Sequence, residues 1–84
     1  MPYLVAIPKR VKKQLKRIDN EYRLKISVAL MDLAFNPFLG KKLEGKYKNK
    51  WSLRVWPYRI IYKIEKRKLI ILILEIAHRQ RAYK

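Results

Sequence analysis

The chain has 84 residues, half of them apolar, with 22 Lys and Arg against 6 Asp and Glu, a net charge of +16. That is one domain, residues 1–84, with enough apolar content for a compact core. Without cysteine a disulfide framework and a thiolate metal site are excluded, a single His78 builds no zinc site, and no apolar run approaches the ~20 residues of a membrane-spanning helix.

In chain order, the short apolar stretch from Tyr3 to Ile7 predicts a strand, closed by Pro8, which also suits the first turn of a following helix. Apolar residues then recur at Val11, Leu15, Ile18, Tyr22, Ile26, Leu30 and Leu33, the three-to-four spacing of an amphipathic helix, while lysines and arginines occupy the other faces. An unbroken helix from Lys9 to Phe35 would be roughly 40 Å long, longer than a domain of this size accommodates. A break at Asp19-Asn20, both favourable capping residues, is therefore expected, giving a helical hairpin that ends at Asn36-Pro37.

The lysine-rich stretch from Phe38 to Asn49 reads as a loop. Trp51 to Trp56 and Tyr58 to Ile64 alternate as half-buried strands around a bend at Pro57. Glu65 to Lys68 is a polar turn, Leu69 to Ile76 is the most apolar strand, and His78 to Lys84 reads as a basic tail. The expected fold is α+β in two layers: an N-terminal strand, a helical hairpin, then a three-stranded antiparallel meander packed against the helices.

The excess of positive charge calls for a polyanionic partner, because self-repulsion at this density costs stability. No basic-then-apolar leader is visible at the start of the sequence, so the expected location is the cytoplasm. Strand parity sets Arg54 and Arg59 on the face away from Leu53, Val55, Ile60 and Tyr62, the face that the helices leave open. Glu75 shares the parity of Leu69, Ile71 and Ile73; on the open face it would be the one carboxylate beside those arginines, as an orienting partner rather than a base. His78, Arg79, Arg81 and Tyr83 follow in the tail, past the end of the last strand. Trp51, Tyr22, Tyr58 and Tyr62 read as core; Trp56 reads as packing over the open face, with stacking on a nucleobase as the alternative.

No paired carboxylates, glycine-rich phosphate loop or metal cluster is present in the sequence. A cationic face with one imidazole and one phenol suits RNA cleavage by 2′-hydroxyl attack on the adjacent phosphate. Fixed arginines stabilise the charge of the transition state, and a group titrating near neutrality helps the leaving oxygen.

The stretch Leu53-Arg54-Val55-Trp56-Pro57-Tyr58-Arg59-Ile60-Ile61-Tyr62 resembles the RelE/ParE toxin superfamily pattern of an arginine, a short bend, then Tyr-Arg, two aliphatic residues and Tyr. Upstream, Lys42-Leu43-Glu44-Gly45 is similar to its Leu-x-Gly segment, and His78-Arg79-Gln80-Arg81-Ala82-Tyr83 to the His-Arg-x-x-x-Tyr ending of the RelE branch. The resemblance implies the toxin of a type II toxin–antitoxin pair, a metal-independent and cofactor-free endoribonuclease that cuts mRNA in the ribosomal A site. It implies an acidic, RelB-like antitoxin, and ribosome and mRNA as the other partners. Carried over, Arg59 and Arg79 stabilise the phosphate and Arg54 shares that role or orients the backbone. Tyr83 positions a base or takes part in proton transfer, and His78 is a candidate acid. Lys48, Lys50 and Arg81 are candidate RNA contacts. The chain departs from the pattern in having Ser52 two residues before Arg54, where many members carry a basic residue, which leaves Lys48, Lys50 or Glu44 as replacements for the base. The alternatives are a ParE-like toxin that inhibits a DNA topoisomerase by binding, and a catalytically inactive RNA- or ribosome-binding module.

Overall fold

The computed structural model describes residues 2–80. Its elements run β1 (Leu4–Ala6), α1 (Lys9–Lys16), α2 (Asn20–Phe35), β2 (Lys41–Lys42), β3 (Trp51–Val55), β4 (Tyr58–Glu65) and β5 (Ile70–His78). They form a five-stranded sheet in the order β1-β5-β4-β3-β2, with β1 parallel to β5 and the other pairs antiparallel. The two helices cover one face. The radius of gyration is 12.0 Å, as expected for a chain folded back on itself at a helical hairpin. No helix of the described residues is long and apolar enough to cross a membrane.

The hairpin breaks where expected. Asp19 is the residue before α2, but its side chain makes no capping hydrogen bond; its charge still favours the positive helix terminus. The α2 end is closed by Asn36, whose Oδ1 accepts from the Phe38 N–H at 3.3 Å, and Pro37 opens a short 3-10 turn. Val11, Ile26, Leu30 and Leu33 from the helices and Ile18 from the turn between them meet Ile60, Tyr62, Ile71, Ile73 and Ile76 from the sheet in one buried cluster. A fully buried side chain of this kind contributes about 1.5–3 kcal/mol.

Tyr62 anchors the segment after α2 to the middle of the sheet. Its hydroxyl donates to the Pro37 carbonyl at 2.8 Å and accepts from the Gly40 N–H at 3.0 Å. Burial raises the phenol's pKa above its ordinary value, and the Gly40 bond partly opposes that. A Cβ on Gly40 would stand 2.6 Å from the Tyr62 hydroxyl and 2.8 Å from the Ser52 carbonyl oxygen, so only glycine fits beneath this ring.

The sequence reading differs from the structure at two elements. The stretch from Phe38 to Asn49 is not only loop, because Lys41–Lys42 add a fifth, edge strand to β3. A two-residue strand carries no alternation to read, and its lysines suit an edge that must not pair with another chain. The last strand extends through His78, so His78 is not in a tail. Midway, Ile61 pairs with Glu75 while Tyr62 pairs with Ile73, so Leu74 is an extra residue, a β-bulge. The bulge lets Ile71 and Ile73 on one side of it and Ile76 on the other all be buried. It also separates Glu75 from the parity of Ile71 and Ile73. Beyond the end of β1 the free edge of β5 is covered by α1: the Arg10 guanidinium donates to the Leu74 carbonyl, and Gln14 Oε1 accepts from the Ile76 N–H at 3.0 Å.

Candidate nucleic-acid interface

Strands β3 and β4 meet at a tight turn whose Trp56–Pro57 peptide bond is cis. The register sets Arg54 directly opposite Arg59, with Ala77 of β5 beside Arg59. The next row along the same face is Lys41, Ser52, Ile61 and Glu75. Residues opposed in a ladder share a face, so this face carries Lys41, Arg54, Arg59, Lys63 and Glu75. Ser52, Ile61 and Ala77 are buried among them and form its floor. Among the described residues the Ser52 Oγ has no hydrogen-bond partner.

Arg79 completes the cluster. It follows β5 directly, and its backbone N–H donates to the Pro57 carbonyl at 2.8 Å, which ties the end of β5 to the turn. Its guanidinium lies 5.0 Å from the centre of the Trp56 ring, a cation–π contact worth roughly 0.5–1 kcal/mol at an exposed position. Trp56 is 60% exposed, so it does not pack over the face as expected; it is a shelf that holds Arg79 beside the turn.

Arg54, Arg59 and Arg79 are thus gathered at one end of the sheet. Like charges directly opposed across strands destabilise a sheet, so the Arg54–Arg59 pairing carries a cost of its own.

The other expected residues are placed differently. His78 stands opposite Tyr58, with its ring edge-on to the tyrosine at 5.3 Å. It lines a cleft of about 290 Å³ with Gln14, Arg17, Ile18 and Tyr58, on the helix side of the sheet. Arg54 and Arg59 are on the opposite side, so the imidazole does not join them. Its Nδ1 accepts from the Gln80 N–H at 3.3 Å, which leaves the proton of a neutral ring on Nε2. Lys48 and Lys50 belong to the loop before β3. Lys50 reaches over the Tyr47 ring at 5.9 Å, and it lies roughly 13 Å along the strand from Arg54 at ~3.3 Å per residue. Glu44 precedes the 3-10 turn of that loop and lines a shallow cleft with Lys48. Arg81 and Tyr83 lie outside the described residues. Lys41 was not expected in the site; only the pairing of β2 brings it to the Ser52 row.

A family model described as the ParE toxin of the type II toxin–antitoxin system parDE matches residues 5–83. No curated protein sequence matches the chain. Among solved structures, the archaeal RelE–RelB complex from Pyrococcus horikoshii contains a chain 30% identical, with a TM-score of 0.82 over 98% of this chain and 100% of that one. A chain of the toxin–antitoxin complex RelBE2 from Mycobacterium tuberculosis is 24% identical, with a TM-score of 0.86 over 93% of this chain and 99% of that one. A doubly substituted E. coli RelE toxin in the free state is 19% identical, with a TM-score of 0.78 over 98% of this chain and 88% of that one.

Proposed function

We propose, for a chain that belongs to the ParE toxin family of the RelE/ParE superfamily and is therefore a toxin of a type II toxin–antitoxin system, that the arginine face is the catalytic surface of a ribosome-dependent endoribonuclease. The observation that carries this reading is the opposed pair Arg54–Arg59 with Arg79 held beside it on Trp56. The register sets Arg54 and Arg59 on one face above the buried Ser52, Ile61 and Ala77, with Arg79 at the adjoining turn, and a phosphodiester is the anion this reading seats there.

In this reaction the 2′-oxygen bonds to the adjacent phosphorus and gives up its proton. The P–O5′ bond breaks and the leaving 5′-oxygen takes a proton. The products are a 2′,3′-cyclic phosphate and a 5′-hydroxyl. Arg59 and Arg79 bind the non-bridging oxygens as charge grows on them, each preorganised donor being worth about 3 kcal/mol by analogy with oxyanion holes. Arg54 shares that charge from the opposite strand. Tyr83 remains the assigned base-stacking or proton-transfer residue. His78, facing Tyr58 across the sheet from the arginines, is assigned a packing role rather than that of the acid.

The antitoxin partner is supported by charge and by surface. Besides its buried stripe, α2 exposes Leu24, Val28, Met31 and Phe35 at helical spacing, and a groove of about 420 Å³ beside β1 is lined by Leu4, Leu15, Leu30 and Met31. An acidic amphipathic segment that folds on binding matches both the apolar stripe and the chain's net charge of +16.

One specific observation favours a second reading: the family model that matches is that of ParE toxins, which supports a protein that inhibits a DNA topoisomerase by binding. One experiment separates the two. Ribosomes programmed with a defined mRNA are mixed with the protein, and cuts are mapped by primer extension, with ribosome-free mRNA alongside. The expected result is cleavage in the A-site codon only with ribosomes, absent with Arg79→Ala and suppressed by the acidic partner. A folded protein that cuts in neither tube but blocks topoisomerase supercoiling would overturn the endoribonuclease and establish the second reading.

A further inference from the structure

A second cationic surface lies far from the arginines. A cleft of about 460 Å³ opens between the β4–β5 turn and the segment after α2, lined by Phe38, Trp51, Lys42, Lys66, Arg67 and Lys68. It lies on the other side of the sheet from Arg59, because Lys42 pairs with Trp51 and Trp51 with Tyr62 on the helix-facing rows. Along β4 it is roughly 23 Å from Arg59 at ~3.3 Å per residue.

Its floor is aromatic. Phe38 stands edge-on to Trp51 with ring centres 5.5 Å apart, and it is half exposed. The Lys66 ammonium is 5.3 Å from the Phe38 ring centre. The rim holds four cations against one carboxylate, Glu65.

The backbone around the cleft is also unusual. Asn49, which lines it, has φ 70, and Leu69, directly after the basic triplet, has φ 54. Asparagine tolerates the left-handed region, but a leucine there costs roughly 1–2 kcal/mol. A glycine at position 69 would relieve that cost without loss of core, since Leu69 is 45% exposed. A bulky residue in the left-handed region is a local strain of the kind that clusters at functional sites. Here the turn sets Lys66 over Phe38 and places Arg67 and Lys68 on the rim of the same cleft.

We propose that this cleft is a second nucleic-acid site, which seats an unpaired strand with one base on Phe38 and the flanking phosphates on Lys42 and the turn from Lys66 to Lys68. The combination of stacking platform and cationic rim is the chemistry that single strands select. An acidic protein segment would use the rim but leave the aromatic floor without a purpose. The site is independent of whether the arginine face is catalytic.

The test uses the full chain with Trp56→Phe, so that Trp51 is the only indole and reports the cleft. The probes are oligouridine and oligothymidine of about a dozen nucleotides, within the range that single-strand sites cover. Saturable quenching of Trp51 is expected, with oligouridine alone, oligothymidine alone or both identifying the strand as RNA, DNA or either. Replacing Lys66, Arg67 and Lys68 together with alanine is expected to weaken binding at least about tenfold at low salt. It should also reduce the log–log salt slope by about 2, at ~0.7 per phosphate contact on a single strand. Phe38→Leu keeps an apolar side chain and is expected to leave the slope unchanged while lowering affinity about 5- to 140-fold, the range of one lost stacked base. Arg59→Ala should leave the quenching in place. The triple variant changes only exposed turn residues, so it tests the proposal even if Phe38→Leu is poorly folded. An unchanged affinity and slope in the triple variant would overturn the proposal. So would equal quenching by oligoglutamate of the same length with the same response to Phe38→Leu. Absence of mRNA cleavage bears on the arginine face and leaves this result standing.

Discussion

Replacing Arg54 with glutamine should make the protein more stable and less active. Arg54 is exposed and faces Arg59 directly across the β3–β4 ladder. Opposed Cβ atoms lie roughly 5 Å apart, and two unit charges taken at about 6.5 Å repel by ~0.6 kcal/mol in water. Screening leaves about 0.5 kcal/mol at 10 mM salt, where the Debye length is ~30 Å, and less than ~0.1 kcal/mol at 1 M, where it is ~3 Å. Glutamine keeps the stem and removes the charge. For a domain of this size 1 kcal/mol moves Tm by about 4–8 °C, so the expected gain is ~2–4 °C at low salt and nothing measurable at high salt. Thermal unfolding followed by far-UV circular dichroism at both salt concentrations measures it. Ribosome-dependent cleavage by the same variant should fall about 100-fold or more, as for other lost donors of transition-state charge. A variant that is no more stable than the parent at low salt, or whose gain persists at 1 M salt, would refute the claim that the pair is held against its own repulsion.

Two further expectations concern the anchor beneath the sheet. Gly40→Ala should destabilise the protein by about 1–2 kcal/mol in urea unfolding, an overpacking cost of ~1–3 less ~0.4–1 regained from the stiffer unfolded chain; equal or greater stability would mean that the contacts with Tyr62 and Ser52 relax freely. Tyr62→Phe should flatten the alkaline limb of the stability profile. Because burial raises the phenol's pKa above 10.0 in the folded chain, its contribution is fully present below that value, where both states are neutral. As pH rises past it the unfolded chain ionises first, so stability declines until the folded phenol also titrates. Parent and Tyr62→Phe profiles that run parallel above pH ~10 would contradict the assignment.

The elements most legible in the sequence were those whose pattern is long. The three-to-four spacing from Val11 to Leu33 and the break at Asp19-Asn20 required only helical geometry and a limit on length. The alternation through Leu53, Val55, Ile60 and Tyr62 was enough to set Arg54 and Arg59 on one face, as the register shows. What was not legible depended on partners distant in sequence. The pairing of Lys41–Lys42 with β3 rests on two residues whose own pattern says nothing. The position of His78 depends on where β5 ends and on how many residues precede it after the bulge, and the bulge at Leu74 leaves no mark in an apolar run that reads equally well in either phase. Trp56 read as packing because an indole is large and apolar; its partner, Arg79, arrives from 23 residues later.

The bulge has a consequence for how this chain is compared with others. It works as a change of gear in β5: residues before Leu74 and residues after it keep different time, so a count carried through the strand arrives one step out. An equivalence for Glu75 or His78 drawn from the strand's beginning therefore lands on the wrong side of the sheet. One drawn backward from Arg79, whose backbone is fastened to Pro57, lands on the right one. The turn at Pro57, rather than the strand's start, is the datum from which this end of the protein is measured.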